Sequence, residues 1–269
     1  MTLRSIGFIG TGAITDAMVR GLLAEPAYVS EIYVSPRNAD VAAGLAAEFD
    51  AVFVAADNQE VVDRSDVVVL AIRPQIAEEI VGGLAFKNGQ SVISVIAATE
   101  HQRLRNWIAA DVHIVQAIPL PFVADRQGVT ALYPPDAEVA ALFDTLGTAV
   151  QCGSKKEYDL LAAASAMMST YFGIMEFTTD WLAAHGLDRT KGQAYIAPLF
   201  EGLAQRAHRP GIASFATLSK EFATIGGLNE QVLADFETGG GRAALATALE
   251  RVLARIEGRT SIPEKNDGP

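Results

Sequence analysis

Apolar runs and helix-spaced apolar positions alternate along the first 152 residues of the chain. Runs typical of buried strands lie at 6–9, 32–34, 52–54, 67–72, 92–96, 114–118, 129–133 and 149–152. Helical patterns separate the early runs, at 16–23, 39–49, 58–63, 74–84 and 101–109. This alternation predicts a parallel, doubly wound α/β sheet. Around 119–135 only loops separate the apolar runs, so an antiparallel extension is an open alternative there.

The strand signal disappears from about residue 154, and a helical pattern replaces it. Helices are predicted at 156–184, 187–206, 212–218, 228–236 and 242–256. They are apolar on several faces, so we expect them to pack against a second copy of the chain as a homodimer. The pattern therefore predicts a doubly wound sheet domain at 1–152, an all-helical domain through which two copies would associate at 153–258, and a disordered polar tail at 259–269.

Composition excludes several classes of protein. The chain has 269 residues, a mean hydropathy of +0.22 and no uninterrupted apolar run of about eighteen residues, so we expect no membrane span. A net charge of −11 argues against nucleic-acid and anionic-membrane partners. The single cysteine, Cys152, excludes a disulfide within the chain, and the four scattered histidines offer no metal site. Without a signal-peptide pattern, a cytoplasmic protein is expected.

A glycine-rich turn follows the first predicted strand and leads directly into a helical pattern. Backbone N–H groups at such a helix start, together with the helix dipole, can bind the pyrophosphate of a dinucleotide. Gly10 would permit the tight turn and Gly12 the close approach of the phosphates, whereas Thr15 stands at the third glycine position of the fingerprint. A glycine turn without any ligand is the alternative. The predicted cofactor contacts at this turn are Gly10, Thr11, Gly12, Ala13 and Ile14.

The residues after the second predicted strand bear on the choice of cofactor. That strand runs into Ser35-Pro36-Arg37-Asn38 and lacks the acidic residue that binds a ribose 2′-hydroxyl. A hydroxyl, a guanidinium and an amide suit a 2′-phosphate, so NADP (as NADPH) is favoured and Ser35, Arg37 and Asn38 are its predicted ligands. NAD remains an open alternative, as does a purely solvated Arg37.

Two further strand ends should border the same crevice, because open α/β sheets bind ligands beyond the carboxyl ends of their strands. One is followed by Arg73-Pro74-Gln75, in which Pro74 fits the first position of a helix. The other is followed by small residues, against which a flat ring can lie. A solvated arginine and ordinary alanine packing are the alternatives. The predicted cofactor contacts are Ala71, Arg73, Pro74, Gln75, Ala97 and Ala98.

Several motifs, in their order along the chain, resemble the pyrroline-5-carboxylate reductase family. They are Ile6-Gly7-Phe8-Ile9-Gly10-x-Gly12, Ala71-Ile72-Arg73-Pro74-Gln75, Ile93-Ser94-Val95-Ile96-Ala97-Ala98, Gly128-Val129-Thr130-Ala131-Leu132, Ala223-Thr224-Ile225 and Gly227-Leu228. The resemblance extends from residue 6 to about 256. It implies an N-terminal Rossmann domain and a C-terminal helical domain, in a homodimer or a higher homo-oligomer.

The resemblance also implies a reaction. The family reduces the cyclic imine 1-pyrroline-5-carboxylate to proline, the last step of proline synthesis, with NADPH or NADH. Thr224 corresponds to the family threonine whose hydroxyl meets the substrate nitrogen, which makes it the predicted catalytic residue. Such a hydride transfer needs the two carbons held together, a hydrogen-bonded nitrogen and the exclusion of water.

The segments that would hold the substrate depart from the family. Ser219-Lys220-Glu221-Phe222 stands in place of a Ser-Pro-Gly-Gly turn that holds the substrate carboxylate, and 165–171 and 119–122 have also lost family residues. Ser219, Lys220 and Thr224 are the predicted substrate contacts, although Lys220 could instead pair with Glu221.

Other readings therefore stay open. They are a divergent reductase that acts on another imine or carbonyl, or on a deazaflavin cofactor, and a non-catalytic NADP-binding protein. A β-hydroxyacid dehydrogenase is disfavoured, because Asp159 and Leu160 stand where an asparagine is needed one helical turn after Lys155 or Lys156.

Overall fold

A computed structural model describes residues 4–24, 29–211 and 214–259, which form two compact units. The first unit runs to Ala162 and takes in the chain again from Arg255, and the second spans Ala163–Ala254. The predicted boundary between residues 152 and 153 falls in the short link before a helix that begins at Lys155, and it stays a prediction.

The first unit contains an eight-stranded sheet. Its strands are β1 (Arg4–Ile9), β2 (Val29–Val34), β3 (Val52–Val54), β4 (Val67–Leu70), β5 (Ser91–Ser94), β6 (His113–Ile118), β7 (Gly128–Tyr133) and β8 (Gly147–Gln151). They lie in the order β3-β2-β1-β4-β5-β6-β7-β8, and only the β6–β7 pair is antiparallel. The predicted doubly wound, mostly parallel sheet is confirmed. The order reverses between β1 and β4, which is the switch point where such sheets bind ligands.

Helices connect most of these strands. They are α1 (Ala13–Leu23), α2 (Ala39–Glu48), α3 (Asn58–Arg64), α4 (Pro74–Gly82), α5 (His101–Trp107) and α6 (Ala137–Asp144), with a 3₁₀ turn at Pro121–Asp125. The sequence patterns did not predict α6. Its local signal is a cap, because the side chain of Asp136 accepts the N–H of Val139 at 2.7 Å.

An apolar core covers each face of the sheet, which explains why the central strands are continuously apolar. Val67 and Val69 of β4 lie in one core, whereas Val68 and Leu70 lie in the other. Successive side chains of a strand point to opposite faces, so a strand covered on both sides must be apolar at every position. The sheet is therefore rigid at its centre, and its carboxyl edge can position loops.

The second part of the chain is helical. Its helices are α7 (Lys155–Ser165), which begins within the first unit, α8 (Met168–Ala184), α9 (Arg189–Ala207), α10 (Phe215–Phe222), α11 (Leu228–Thr238) and α12 (Gly241–Ile256). One long helix was expected at 156–184, but the structure divides it. Ala166 and Met167 donate their N–H groups to carbonyls three residues back, at 3.2 and 3.1 Å, and this tighter turn separates α7 from α8.

Two predicted segments lie partly outside the described residues. The helix predicted at 212–218 is described only from Ser214, whose side chain caps α10 by accepting the N–H of Thr217. Of the tail predicted at 259–269, only Arg259 is described.

The helices of the second unit leave large apolar side chains exposed. Phe177 of α8 is 71% exposed, and neither α11 nor α12 buries any residue. By length and composition alone the stretch Lys155–Ala184 could cross a membrane, and only 6% of its apolar window is buried. Exposed apolar surface of this extent marks a contact with another molecule.

Candidate active site

The turn after β1 has the geometry of an anion-binding helix start. Gly10 adopts φ +99°, and a Cβ atom there would lie 2.3 Å from the carbonyl oxygen of Ala71, so only glycine fits. Gly12 precedes α1 in extended backbone, without a side-chain cap, and a Cβ atom there would meet nothing within 4 Å. The first amides of α1 therefore have no side-chain partner and can bind phosphate.

Three buried hydroxyls hold this turn in place. The Oγ atom of Ser35 accepts the N–H of Gly10 at 2.9 Å, and Thr11 Oγ1 donates to the carbonyl oxygen of Ser35 at 2.6 Å. Thr15 Oγ1 donates to the carbonyl oxygen of Gly10 at 2.6 Å, so this threonine closes the turn where a third glycine is usual. Ser35 is fully buried and its hydroxyl stabilises the turn, and its predicted contact with a 2′-phosphate stays a prediction.

Arg37 and Asn38 lie exposed just beyond β2. Asn38 precedes α2 without a side-chain cap bond, so the first amides of this helix are open as well. Among the residues that the structure describes, the guanidinium of Arg37 has neither a hydrogen bond nor an ion pair. A cation beside an open helix start suits a phosphate, which agrees with the predicted 2′-phosphate contact without testing it.

The segment after β4 contacts the glycine turn. Ala71 donates its N–H to the carbonyl oxygen of Ile9 at 2.8 Å, and its own carbonyl closes over Gly10. Pro74 is the first residue of α4, as expected, and the side chains of Arg73 and Gln75 are exposed at the same edge of the sheet. The structure thus brings together the predicted cofactor residues of β1 and β4.

The loop after β5 contains a strained residue. Ala98 adopts φ +48°, a conformation that residues with a Cβ atom rarely take, and both Ala97 and Ala98 are exposed. The loop is held from below, since Gln116 Nε2 donates to the carbonyl oxygen of Thr99 at 2.6 Å. Strain that the surroundings enforce is common at ligand sites. The open amides at the start of α1 and the small exposed side chains of Ala97 and Ala98 suit a dinucleotide, whose contacts with them stay a prediction.

A charged cluster next to this loop was missed by the sequence reasoning. At the start of α7, Lys155 Nζ lies 2.5 Å from Asp159 Oδ1 and 3.8 Å from Glu100 Oε1. The spacing of Lys155 and Asp159, one helical turn apart, was the signal that could have revealed the pair. The contact with Glu100 had no signal, because it joins residues that are distant in the chain.

An apolar layer supports this cluster. The rings of Tyr133 and Tyr158 lie 6.2 Å apart, and Tyr158 and Cys152 are buried together. Burial, with the nearby charge of Asp159, raises the pKa of the Tyr158 phenol. Burial likewise raises the pKa of the Cys152 thiol, which agrees with its expected role as a small apolar residue rather than a nucleophile.

In the second unit, the segment predicted to bind the substrate carboxylate is helical. Ser219 and Lys220 lie inside α10, where their own backbone N–H groups are bound to carbonyls of the preceding turn and are not free for an anion. Glu221 pairs with Arg206 at 3.0 Å rather than with Lys220.

Thr224 lies in the loop after α10. Its carbonyl oxygen accepts the N–H of Gly227 at 2.8 Å, and a Cβ atom at Gly227 would lie 2.3 Å from the Thr224 hydroxyl oxygen. Glycine at 227 therefore leaves room for this hydroxyl. Within the described chain the hydroxyl makes no hydrogen bond of its own, and Thr224 is exposed, so it can accept a partner from a ligand.

Comparisons with known proteins agree with this geometry. A family model described as NADP oxidoreductase, coenzyme F420-dependent, matches residues 5–98, and one described as pyrroline-5-carboxylate reductase dimerisation matches 156–258. The chain is 28% identical to the pyrroline-5-carboxylate reductase of Pseudomonas aeruginosa, over 95% of this chain and 96% of that one.

Solved structures share the fold. The 1-pyrroline-5-carboxylate reductase of Streptococcus pyogenes superposes with a TM-score of 0.82 at 22% identity, covering 95% of this chain and 99% of that one. The Plasmodium falciparum pyrroline carboxylate reductase, solved with NADP bound, has a TM-score of 0.80 at 16% identity over 96% and 98% of the two chains. The expected architecture, a dinucleotide-binding sheet domain followed by a helical dimerisation domain, is confirmed.

Proposed function

Because the chain belongs to the family of pyrroline-5-carboxylate reductase-like, nicotinamide-dependent oxidoreductases, we propose that it reduces 1-pyrroline-5-carboxylate to proline. The observation that carries the proposal is that the helical half matches a model of this enzyme type, in a chain that aligns over 95% of its length with the Pseudomonas aeruginosa enzyme. The dinucleotide-binding half has an intact glycine turn, and the helical half matches the dimerisation model over 156–258. The substrate is carried over from the relatives that share this arrangement.

NADPH is the proposed hydride donor. The exposed, unpaired Arg37 and the open start of α2 favour a 2′-phosphate, and no carboxylate ends β2 to repel it. When bound, the reduced nicotinamide supplies the hydride. Gly10 and Gly12 let the pyrophosphate approach the amides of α1, and the small side chains of Ala97 and Ala98 leave room for the ring.

Thr224 is the proposed catalytic residue. Its match to the family threonine and its unoccupied hydroxyl support a hydrogen bond to the substrate nitrogen. Such a bond favours hydride transfer to the C=N carbon, because negative charge that develops on the nitrogen is stabilised. We expect Thr224→Ala to lower kcat more than it weakens NADPH binding.

We propose that the protein works as a cytoplasmic homodimer, with its domain boundary near residues 152 and 153. The exposed apolar faces of α8, α11 and α12 and the match to a dimerisation model support this arrangement. Phe177→Asp should yield monomers in light scattering, because a charge would then have to be buried in the interface. The matched control is Phe53→Asp, which changes an exposed phenylalanine on β3 of the other unit.

The decisive experiment follows the oxidation of NADPH and of NADH by purified protein with 1-pyrroline-5-carboxylate, and identifies proline as the product. A panel of other cyclic imines and ketones runs in parallel. Proline formation with a higher kcat/KM for NADPH supports the proposal. Faster turnover of another compound would assign a divergent reductase. NADPH binding without any turnover would assign a non-catalytic protein.

A further inference from the structure

Lys155 is held by two carboxylates in very different environments. The side chain of Asp159 is only 8% exposed, and its Oδ1 lies 2.5 Å from the ammonium nitrogen. The side chain of Glu100 is 54% exposed, and its Oε1 lies 3.8 Å away, beyond hydrogen-bonding distance. Asp159 therefore fixes the position of the ammonium, whereas Glu100 is a loosely placed partner that is easily displaced.

The ammonium retains donors for a third group. A lysine has three N–H donors, and Asp159 uses one of them. The Lys155 side chain is 25% exposed, so a ligand can reach it from the solvent side, where Glu100 now stands. An anchored cation whose second carboxylate is half-exposed and beyond hydrogen-bonding distance is suited to exchange that carboxylate for an external one.

The cluster lies at the ring end of the proposed cofactor crevice. Glu100 comes two residues after the strained Ala98, at the carboxyl edge of the sheet. Beneath it, the Gln116 amide supports Thr99 while its Oε1 atom is buried without a hydrogen-bond partner in the described residues. A buried amide oxygen of this kind has room for one hydrogen bond from a group beyond the described residues.

A second observation, from the other unit, favours a carboxylate partner outside the segment of Ser219 and Lys220. The helical residues Ser219 and Lys220 offer no free amides, so a carboxylated imine needs its anion held by another group. Lys220 is exposed and has no partner in the described residues that would fix its side chain. Lys155 is fixed in advance by Asp159, so less conformational entropy is lost when it binds an anion.

We propose that Lys155 binds the carboxylate of the substrate, displacing Glu100 from the position that it occupies in the free protein. This inference rests on the proposed function and adds the residue that selects carboxylated over plain cyclic imines. Asp159 acts as a positioning residue, since it holds the ammonium without touching the substrate.

The experiment compares two imines that share the five-membered ring, 1-pyrroline-5-carboxylate and 1-pyrroline, which lacks the carboxylate. Lys155→Met should lower kcat/KM for the carboxylated imine by about 10- to 100-fold, the range for loss of a hydrogen bond between charged groups. The value for 1-pyrroline should stay unchanged. The matched control is Lys156→Met, which removes an exposed neighbouring lysine and should alter neither substrate.

Two further variants test the geometry. Glu100→Gln should lower KM for the carboxylated imine alone, because it removes the competing anion. Lys155→Met/Asp159→Asn avoids an unpaired buried carboxylate, and should show the same loss of discrimination if the single variant folds poorly. Titration calorimetry should also show weaker binding of L-proline in the presence of NADP. This loss is expected in Lys155→Met and in Lys155→Met/Asp159→Asn alike.

The outcomes separate this inference from the proposed function. Wild-type protein that reduces neither imine overturns the proposed function, and this inference with it. Active wild-type protein whose discrimination survives Lys155→Met, or disappears in Lys220→Met instead, overturns the inference alone. An equal loss with both imines also overturns it, because Lys155 would then act on the nitrogen or on the fold.

Discussion

Ser35 Oγ accepts the backbone N–H of Gly10 at 2.9 Å and thereby ties the end of β2 to the glycine turn after β1. The same hydroxyl lies 3.2 Å from Thr11 Oγ1. Two loops of the proposed cofactor site are thus one hydrogen-bonded structure. The residues that should read the 2′-phosphate and those that should bind the pyrophosphate cannot move independently.

Ser35→Ala should destabilise the protein and weaken the binding of both NADPH and NADH. The change leaves the partly buried N–H of Gly10 without an acceptor, which costs about 1–3 kcal/mol. Since the pyrophosphate turn is shared, Kd should rise by a similar factor for NADPH and NADH, measured by fluorescence titration beside a urea melt. A loss confined to NADPH would restore Ser35 as a ligand of the 2′-phosphate.

Arg37→Ser should affect one cofactor only. Removing an unpaired exposed guanidinium leaves the fold intact, but KM for NADPH should rise about tenfold or more, whereas KM for NADH should hardly change. Arg105→Ser, an exposed arginine in the last turn of α5, is the control and should change neither value. Equal effects on both cofactors would contradict a 2′-phosphate contact.

The two glycines of the turn should respond differently to alanine. Gly10→Ala places a Cβ atom 2.3 Å from the Ala71 carbonyl oxygen at a positive φ, so both stability and cofactor binding should be lost. Gly12→Ala meets no protein atom within 4 Å and should keep its melting temperature. Its Cβ atom occupies the approach to the α1 amides, so NADPH binding should still weaken. Thermal melts with and without NADPH separate the two effects.

Asp136 should make stability depend on acid pH. Burial acts to raise its pKa, but the N–H of Val139 and the ring of His113 outweigh burial and hold the pKa below its ordinary value. The folded protein therefore prefers the carboxylate, so this stabilisation is complete above the unfolded pKa of about 3.9 and is lost as pH falls through the folded pKa.

The test compares variants in urea. Asp136→Ala should cost about 1 kcal/mol at neutral pH by removing the cap of α6, and less at acid pH. Asp136→Asn keeps a capping oxygen and should cost less at neutral pH. A difference between Asp136→Ala and wild type that persists undiminished below the folded pKa of Asp136 would contradict the assignment.

The alternation of strands and helices could be predicted from the sequence because it depends on local periodicity. Val67–Leu70 is apolar at every position, and burial on both faces of a sheet demands that pattern. α6 was not predicted because it has only about two turns, too few for a clear apolar period. The local signal for its start was the N-cap residue Asp136. The turn between α7 and α8 was not predicted from the sequence. Alanine is compatible both with a continuous α-helix and with the tighter turn that the structure has there.

The site was harder to predict because its residues meet only in three dimensions. Ser35 stands 25 residues from Gly10, and a hydroxyl after a strand indicates a ligand contact and a structural contact equally well. The ion pair of Lys155 with Asp159 was accessible from helical spacing, whereas the approach of Glu100 depends on how β5 lies within the sheet. The local sequence therefore indicates candidate site residues, and the tertiary structure shows whether each one contacts other residues of the protein or is open to a ligand.

α11 and α12 bury no side chain within one chain, although they span 11 and 16 residues. Isolated helices of about 12–15 residues are marginal in water, so these two need an external surface to persist. If that surface is a second copy, the last step of folding is a second-order reaction. The rate at which newly made chains complete their fold would then depend on the square of the chain concentration. On dilution below the dissociation constant of the dimer, α11 and α12 would unfold before the sheet domain.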